Sequence, residues 1–170
     1  MSTAEAFGNF APANMIQEAT AFKTVKAGQY DGQINKVYEF NADEGWARVG
    51  AKVAVDGAIR GSVFFRVQWK EARGKNGKLK GSCKLYAQLL KALYPTKTAD
   101  ELATVDAQTL LDDSMKFVVG MFVSEYYVVP DASNPYGSSR VYPKTTDEIA
   151  DVLKRGGKAK NDVLTISPKR

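Results

Sequence analysis

Residues with the means to do chemistry crowd into one short stretch, "ARGKNGKLKGSCK", residues 72–84. There glycines at 74, 77 and 81 are interspersed with basic side chains. Glycine and lysine at this spacing suit phosphate. A nucleotide-hydrolysing loop needs G-x-x-x-x-G-K-[ST], because backbone N–H groups wrap the phosphates, the lysine neutralises them and the hydroxyl holds magnesium. Here Gly77-Lys78 is followed by Leu79, and Ala72 stands where the first glycine is needed. The hydroxyl and the nest are both missing. The stretch reads instead as a flexible basic loop able to grip a phosphate backbone, with a lysine-rich solvated hairpin tip as the plain alternative.

Charge distribution sharpens this. The 170-residue chain carries a formal net charge of +5. Lys70, Arg73, Lys75, Lys78, Lys80 and Lys84 against Glu71 give six minus one, also +5, so the remainder is neutral. A charge excess confined to one segment focuses a positive field on a polyanionic partner. Two flanking segments extend the pattern. "WARVGAKVAV" (46–55) and "AIRGSVFFRVQWK" (58–70) alternate with a period of two, and Asp56-Gly57 between them favours a tight hairpin. One face holds Ala47, Val49, Ala51, Val53 and Val55 with Ile59, Val63, Phe65, Val67 and Trp69. The other collects Trp46, Arg48, Lys52, Arg60, Phe64, Arg66 and Lys70. Aromatic rings among cations are what single-stranded nucleic acid requires, since bases stack on rings while lysine and arginine follow the phosphates. The expected nucleic-acid-binding residues are therefore Trp46, Arg48, Lys52, Arg60, Phe64, Arg66, Lys70, Arg73, Lys75, Lys78 and Lys80. Burial of Trp46 and Phe64 in a second small core is the competing reading.

Other chemistries are poorly supplied. The chain has no histidine and one cysteine, Cys83, which excludes a histidine-dependent triad, a structural zinc site and an internal disulfide. Asp100, Glu101, Asp106, Asp112 and Asp113 are the dense acidic region, and they read as helix caps rather than as a magnesium site. No cofactor and no catalytic residue is expected. No apolar run is long enough to cross a bilayer, and "MSTAEAFGNFAPANM" lacks the layout of a secretory signal, so a cytoplasmic protein is expected.

The elements that must position these residues follow from periodicity. Residues 1–26 read as an N-terminal arm and 27–156 as the folded domain; 157–170 read as a basic mobile tail. After the first strand, "GQYDGQINKVYEF", come the two alternating strands. A helix over 83–94 follows, with Ser82 as its cap and Leu85, Leu89 and Leu93 as its stripe. Thr98 and Glu101 have capping-box spacing for a second, short helix. "SMKFVVGMFVSEYYVVP" predicts a long strand, "DASNPYGSSR" a loop, "VYPK" a last short strand, and "TTDEIADVLKRGG" a C-terminal helix with Gly156 as its stop. Strands, a helix and a further strand predict a mainly β fold with helices. The expected form is a five-stranded antiparallel barrel of OB type with a helix between its third and fourth strands and a C-terminal helix.

"AGQYDGQINKVYEF", the paired strands, "KLYAQLLKALYP" and "LLDDSMKFVVGMFVSEYY" together resemble the small single-stranded DNA-binding proteins of bacteriophages, OB-fold relatives of the bacterial replication protein. The similarity covers residues 27 to about 129 and lies in order and turn residues, not in an invariant motif. It implies sequence-independent binding and protection of single-stranded DNA during phage replication or recombination. It also places the strand with Gly28, Tyr30, Gly32 and Ile34 as the opening one of the barrel. Partners implied are single-stranded DNA, with RNA left open, replication or recombination proteins, and a second copy of the chain. Many such proteins end in an acidic recruiting tail, whereas "GGKAKNDVLTISPKR" is basic. Two other functions stay open: a factor that uses its basic face to occlude a nucleic-acid enzyme, and a metal-dependent nuclease.

Overall fold

The computed structural model describes residues 24–131 and 133–169. Six strands and four helices are formed there: β1 (Gly28–Asn41), β2 (Trp46–Val55), β3 (Ala58–Gln68), α1 (Gly81–Leu93), α2 (Ala99–Ala103), α3 (Ala107–Ser114), β4 (Val119–Asp131), β5 (Asn134–Val141), α4 (Thr146–Lys154) and β6 (Lys158–Pro168). The expected arm over 1–26 lies outside the described residues save its last three. Of these, Val25 is buried, and its backbone N–H and carbonyl pair with the Asn161 side chain of β6.

All pairings are antiparallel, in the order β3-β2-β1-β4. β4 then carries β1 and β5 against successive parts of its length, and β6 along most of it. The β2–β3 turn follows the sequence: Asp56 and Gly57 have φ of 50° and 78°, the doubly left-handed pair that matches strand twist in a two-residue hairpin. The core gathers Ala47, Val49, Ala51 and Val53 of β2, Val63, Phe65 and Val67 of β3, Ile34 of β1 and Met121 and Val123 of β4. Against these pack Leu85, Leu89 and Leu90 of α1 and Leu110 and Leu111 of α3.

Several expectations change. The sheet has six strands rather than five and is open: among the described residues no ladder joins β3 to β6. Helix α1 lies against both strands instead, and the Gln88 side chain accepts the Ile166 N–H at 2.8 Å, occupying a group on β6 that a neighbouring strand could take. The tail is not free. Residues 158–168 form β6, because Val163 and Ile166 reach the core, so the folded unit extends past residue 156. "DASNPYGSSR" is not a loop either. Asp131 accepts from the Ser133 N–H (2.9 Å) and hydroxyl (2.7 Å), tightening a hairpin whose return strand is β5. Ser82 does not cap α1. Lys80 holds that position without a side-chain cap, and the Ser82 hydroxyl donates to Gln68 instead. Helix α3 adds to the expected elements. Asp106 caps it, while the Thr98–Glu101 box caps α2 as the spacing predicts. No helix among the described residues is long and apolar enough to cross a membrane.

Leu89 has no exposed surface, so Leu89→Ala should cost about 2–5 kcal/mol in denaturant unfolding. An unshifted midpoint would contradict the placement of α1. A second test concerns Tyr94, whose hydroxyl donates to the Asp113 carboxylate and so ties the end of α1 to α3. Burial first, and then that carboxylate, hold the Tyr94 hydroxyl well above the ordinary tyrosine range. The unfolded chain releases this proton near pH ~10. The contribution is therefore complete below pH ~10 and is lost as pH rises beyond it. Tyr94→Phe should cost about 1–3 kcal/mol at neutral pH, and its stability should fall less steeply above pH ~10 than that of the parent. Parallel alkaline curves would refute this link.

Candidate nucleic-acid interface

The side of β1–β2–β3 turned away from the core is fixed by β2. Because Ala47, Val49, Ala51 and Val53 are all fully buried, the intervening Arg48, Gly50 and Lys52 must face outward. Across the ladders Arg48 lies opposite Arg66 and Glu39, Gly50 opposite Phe64 and Lys36, and Lys52 opposite Ser62 and Gln33. Side chains at opposed positions share a face. The outer surface thus collects Lys36, Arg48, Lys52 and Arg66 around an aromatic centre. Among the described residues Arg48, Lys52 and Arg66 enter no ion pair.

That centre is Tyr38 and Phe64, whose ring centroids lie 5.4 Å apart at 62°, with the Lys36 ammonium 4.7 Å from the Tyr38 centroid. Gly50 makes the pair possible. A Cβ there would meet Tyr38 Cε2 at 2.7 Å and Phe64 Cε1 at 3.2 Å, so the rings lie down over bare backbone. Tyr38 remains 49% exposed.

Trp46 departs from the expectation of an open stacking surface. It is on the outer side but only 9% exposed. Its Nε1–H donates to the Glu44 carboxylate at 2.7 Å, and the Arg66 guanidinium lies over the indole at 3.9 Å from the centroid. The cation is held flat by the ring, and the ring is held by Glu44. Trp69 sits on the core side as its phase predicts, half-buried between Phe40 (5.1 Å) and Tyr86 (5.9 Å).

Arg60 is also displaced. The β2–β3 register shifts between Val53 and Ala54, where Gly61 and Ile59 are paired and Arg60 is passed over. This bulge breaks the alternation. Ile59, expected in the core, is 66% exposed, while Arg60 lines a shallow hollow of about 370 Å³ with Val25, Tyr30 and Val55 at the end of the core. Arg60 therefore leaves the face that holds Phe64 and Arg66.

The basic loop is bridged by its own backbone. Arg73 bridges Leu79, the Gly74 N–H donates to the Lys78 carbonyl and the Lys80 N–H to the Ala72 carbonyl, both at 2.9 Å. The Arg73 guanidinium is engaged by Glu71 at 2.7 Å and by the Gly77 carbonyl at 3.0 Å, so it braces the loop. Lys70, Lys75, Lys78 and Lys80 are exposed and enter no ion pair among the described residues. The acidic residues have local duties: Glu101 and Asp106 cap helices, Asp112 accepts from Gln108 and Asp113 from Tyr94. Among the described residues no three carboxylate or cysteine groups are placed to share a metal ion.

Sequence reasoning missed Lys36 and Tyr38. Strict alternation puts Ile34, Lys36, Tyr38 and Phe40 on one face. Two register shifts in β1, between Ile34 and Lys36 and between Val37 and Glu39, send Ile34 into the core and Lys36 and Tyr38 outward. Gly50 opposite "KVY" was the available signal, since an interior strand glycine often marks close approach of another group.

The Trp46 arrangement is testable by fluorescence in a Trp69→Phe background, where Trp46 is the sole emitter. Arg66→Ala should red-shift the emission and raise its iodide quenching, at a stability cost of about 0.5–1 kcal/mol. Emission unchanged by removal of Arg66 would mean that the guanidinium does not cover the ring.

Comparison of the chain with known protein families, with curated proteins and with solved structures finds no match, so the geometry carries the functional reading.

Proposed function

We propose that this protein binds single-stranded nucleic acid, DNA in the first instance, without reading its sequence. The observation that carries the reading is the outer face of β1–β3, where Tyr38 and Phe64 meet over Gly50 within a ring formed by Lys36, Arg48, Lys52 and Arg66. Rings of this kind stack with any base, and the surrounding cations follow the phosphates, so affinity comes without base-edge recognition. The lysines of the 72–84 loop add point charges beside the same sheet. The strand order supports the reading as well. Taking β6 as the fifth strand, we read the order β3-β2-β1-β4-β6, with a helix between the third and fourth strands, as OB-like, and β5 with α4 as an insertion before the last strand. In that arrangement nucleic acid lies across the second and third strands. The resemblance of residues 27 to about 129 to phage single-stranded DNA-binding proteins points the same way, and implies protection of exposed strands in replication or recombination.

Titration with single-stranded DNA, duplex DNA and RNA of equal length tests this. Single strands should bind well above duplex. Tyr38→Ala and Phe64→Ala should each lose about 1–3 kcal/mol. Changing Lys75, Lys78 and Lys80 together to Ala should weaken all sequences alike and reduce the salt slope by about 2, or about 0.7 per lost contact. Equal affinity for duplex, indifferent to both ring variants, would refute the proposal.

A further inference from the structure

A second outward face accompanies the first. On β4, Tyr126 and Val128 lie in phase with Phe122, which faces solvent opposite Gln29 of β1. Lys160 is opposite Tyr126, and Lys158 and Arg140 flank Val128 from β6 and β5. These side chains share one surface, and it is the same side of the continuous sheet as the Tyr38–Phe64 face, since β1 and β5 lie along one edge of β4. The opposite side is occupied: Val152 of α4 and Val129 of β4 close around Gly157.

Around Tyr126, which is itself buried, the exposed surface repeats the composition of the first. The Arg140 guanidinium lies 4.7 Å from the Tyr126 centroid and is held there by Asp162 at 3.1 Å. The Tyr142 ring stands 6.3 Å from Tyr126 and is 59% exposed, and Tyr136, on the return strand of the hairpin, is 98% exposed. Lys158 and Lys160 are exposed and enter no ion pair among the described residues, whereas Arg140 is held by Asp162 and Tyr142 borders a hollow shared with Asp147, Glu148 and Asp151 of α4. Exposed tyrosine rings beside unpaired lysines suit a polyanion that carries flat bases.

We propose that the β5–β4–β6 face is a second contact on the same nucleic-acid strand, with Lys158 and Lys160 on phosphates and Tyr142 stacking a base. It extends the footprint beyond the β1–β3 face. This rests on the single-strand reading above, and the test separates the two. The full-length protein and a Lys158→Ser/Lys160→Ser variant are titrated with oligothymidylates of roughly 6 and roughly 20 nucleotides, one near the lower end and one beyond the upper end of the footprint range of such domains. The short oligonucleotide should bind both proteins alike. The long one should bind the variant about 25-fold more weakly at 0.1 M salt, with a salt slope smaller by about 1.4. Tyr142→Ala should weaken the long oligonucleotide alone, by roughly five-fold or more. These are surface substitutions, and matching thermal melts would show the fold intact. Long-oligonucleotide curves that coincide for parent and variant would overturn the second contact and leave the first standing. Equal losses at both lengths would overturn it as an extension, because the lysines would then belong to the first site. Failure of the parent to bind either length would overturn both.

Discussion

Strand β2 is paired on both edges, and its core-side positions are Ala, Val, Ala and Val with no exposed surface. This packing constrains everything else in the region. A one-residue slip would turn four apolar groups to water and bring Arg48 and Lys52 into the core. The register is therefore held by the hydrophobic effect, and with it the outward presentation of the basic positions. Gly50 is part of the same constraint. Set between Arg48 and Lys52, it leaves a gap in the outer surface that rings from both neighbouring strands fill. The stability of the core and the shape of the candidate site thus come from alternate residues of one segment.

Electrostatics divides the cations into two groups. Arg73, Arg140 and Arg155 are tied to Glu71, Asp162 and Asp151; Arg73 braces a loop, and Arg140 joins β5 to β6 across β4. The lysines of the loop and of β6, with Arg48, Lys52 and Arg66 of the sheet, have no carboxylate partner among the described residues. Exposed ion pairs add little stability, so the tied group matters chiefly for positioning. The unpaired group suits a polyanion, and association through it would be sensitive to salt. Arg66 combines both traits, being positioned by an aromatic ring instead of a carboxylate.

Regular strands were legible because burial on one side imposes a period of two. β2 and β3 are found where alternation puts them, and their turn has the backbone that Asp56-Gly57 predicts. Bulges were not legible, because one extra residue inverts the phase without changing composition. Arg60, Ile59 and Tyr38 were misplaced or missed for that reason. Trp46 was assigned to the right side, but whether a ring is open or covered depends on Arg66 across the ladder and on Glu44 in the preceding turn. In sequence β6 reads as a tail because its charges are conspicuous, while its burial rests on two well-spaced residues, Val163 and Ile166. β5 was read as a loop because Asn, Pro, Gly and Ser are turn formers that tertiary pairing can still draw into an edge strand.

On the proposed function, bases contact the Tyr38–Phe64 pair over Gly50. Photo-crosslinking tests it most directly: a single-stranded oligonucleotide carrying 5-iodouracil is irradiated with the full-length protein, and the linked residues are mapped by mass spectrometry. Adducts should form at Tyr38 and Phe64, and both should be lost when Gly50→Val forces the rings apart. Adducts confined to residues off this sheet face, such as Phe117, or a Gly50→Val pattern identical to that of the parent, would contradict it.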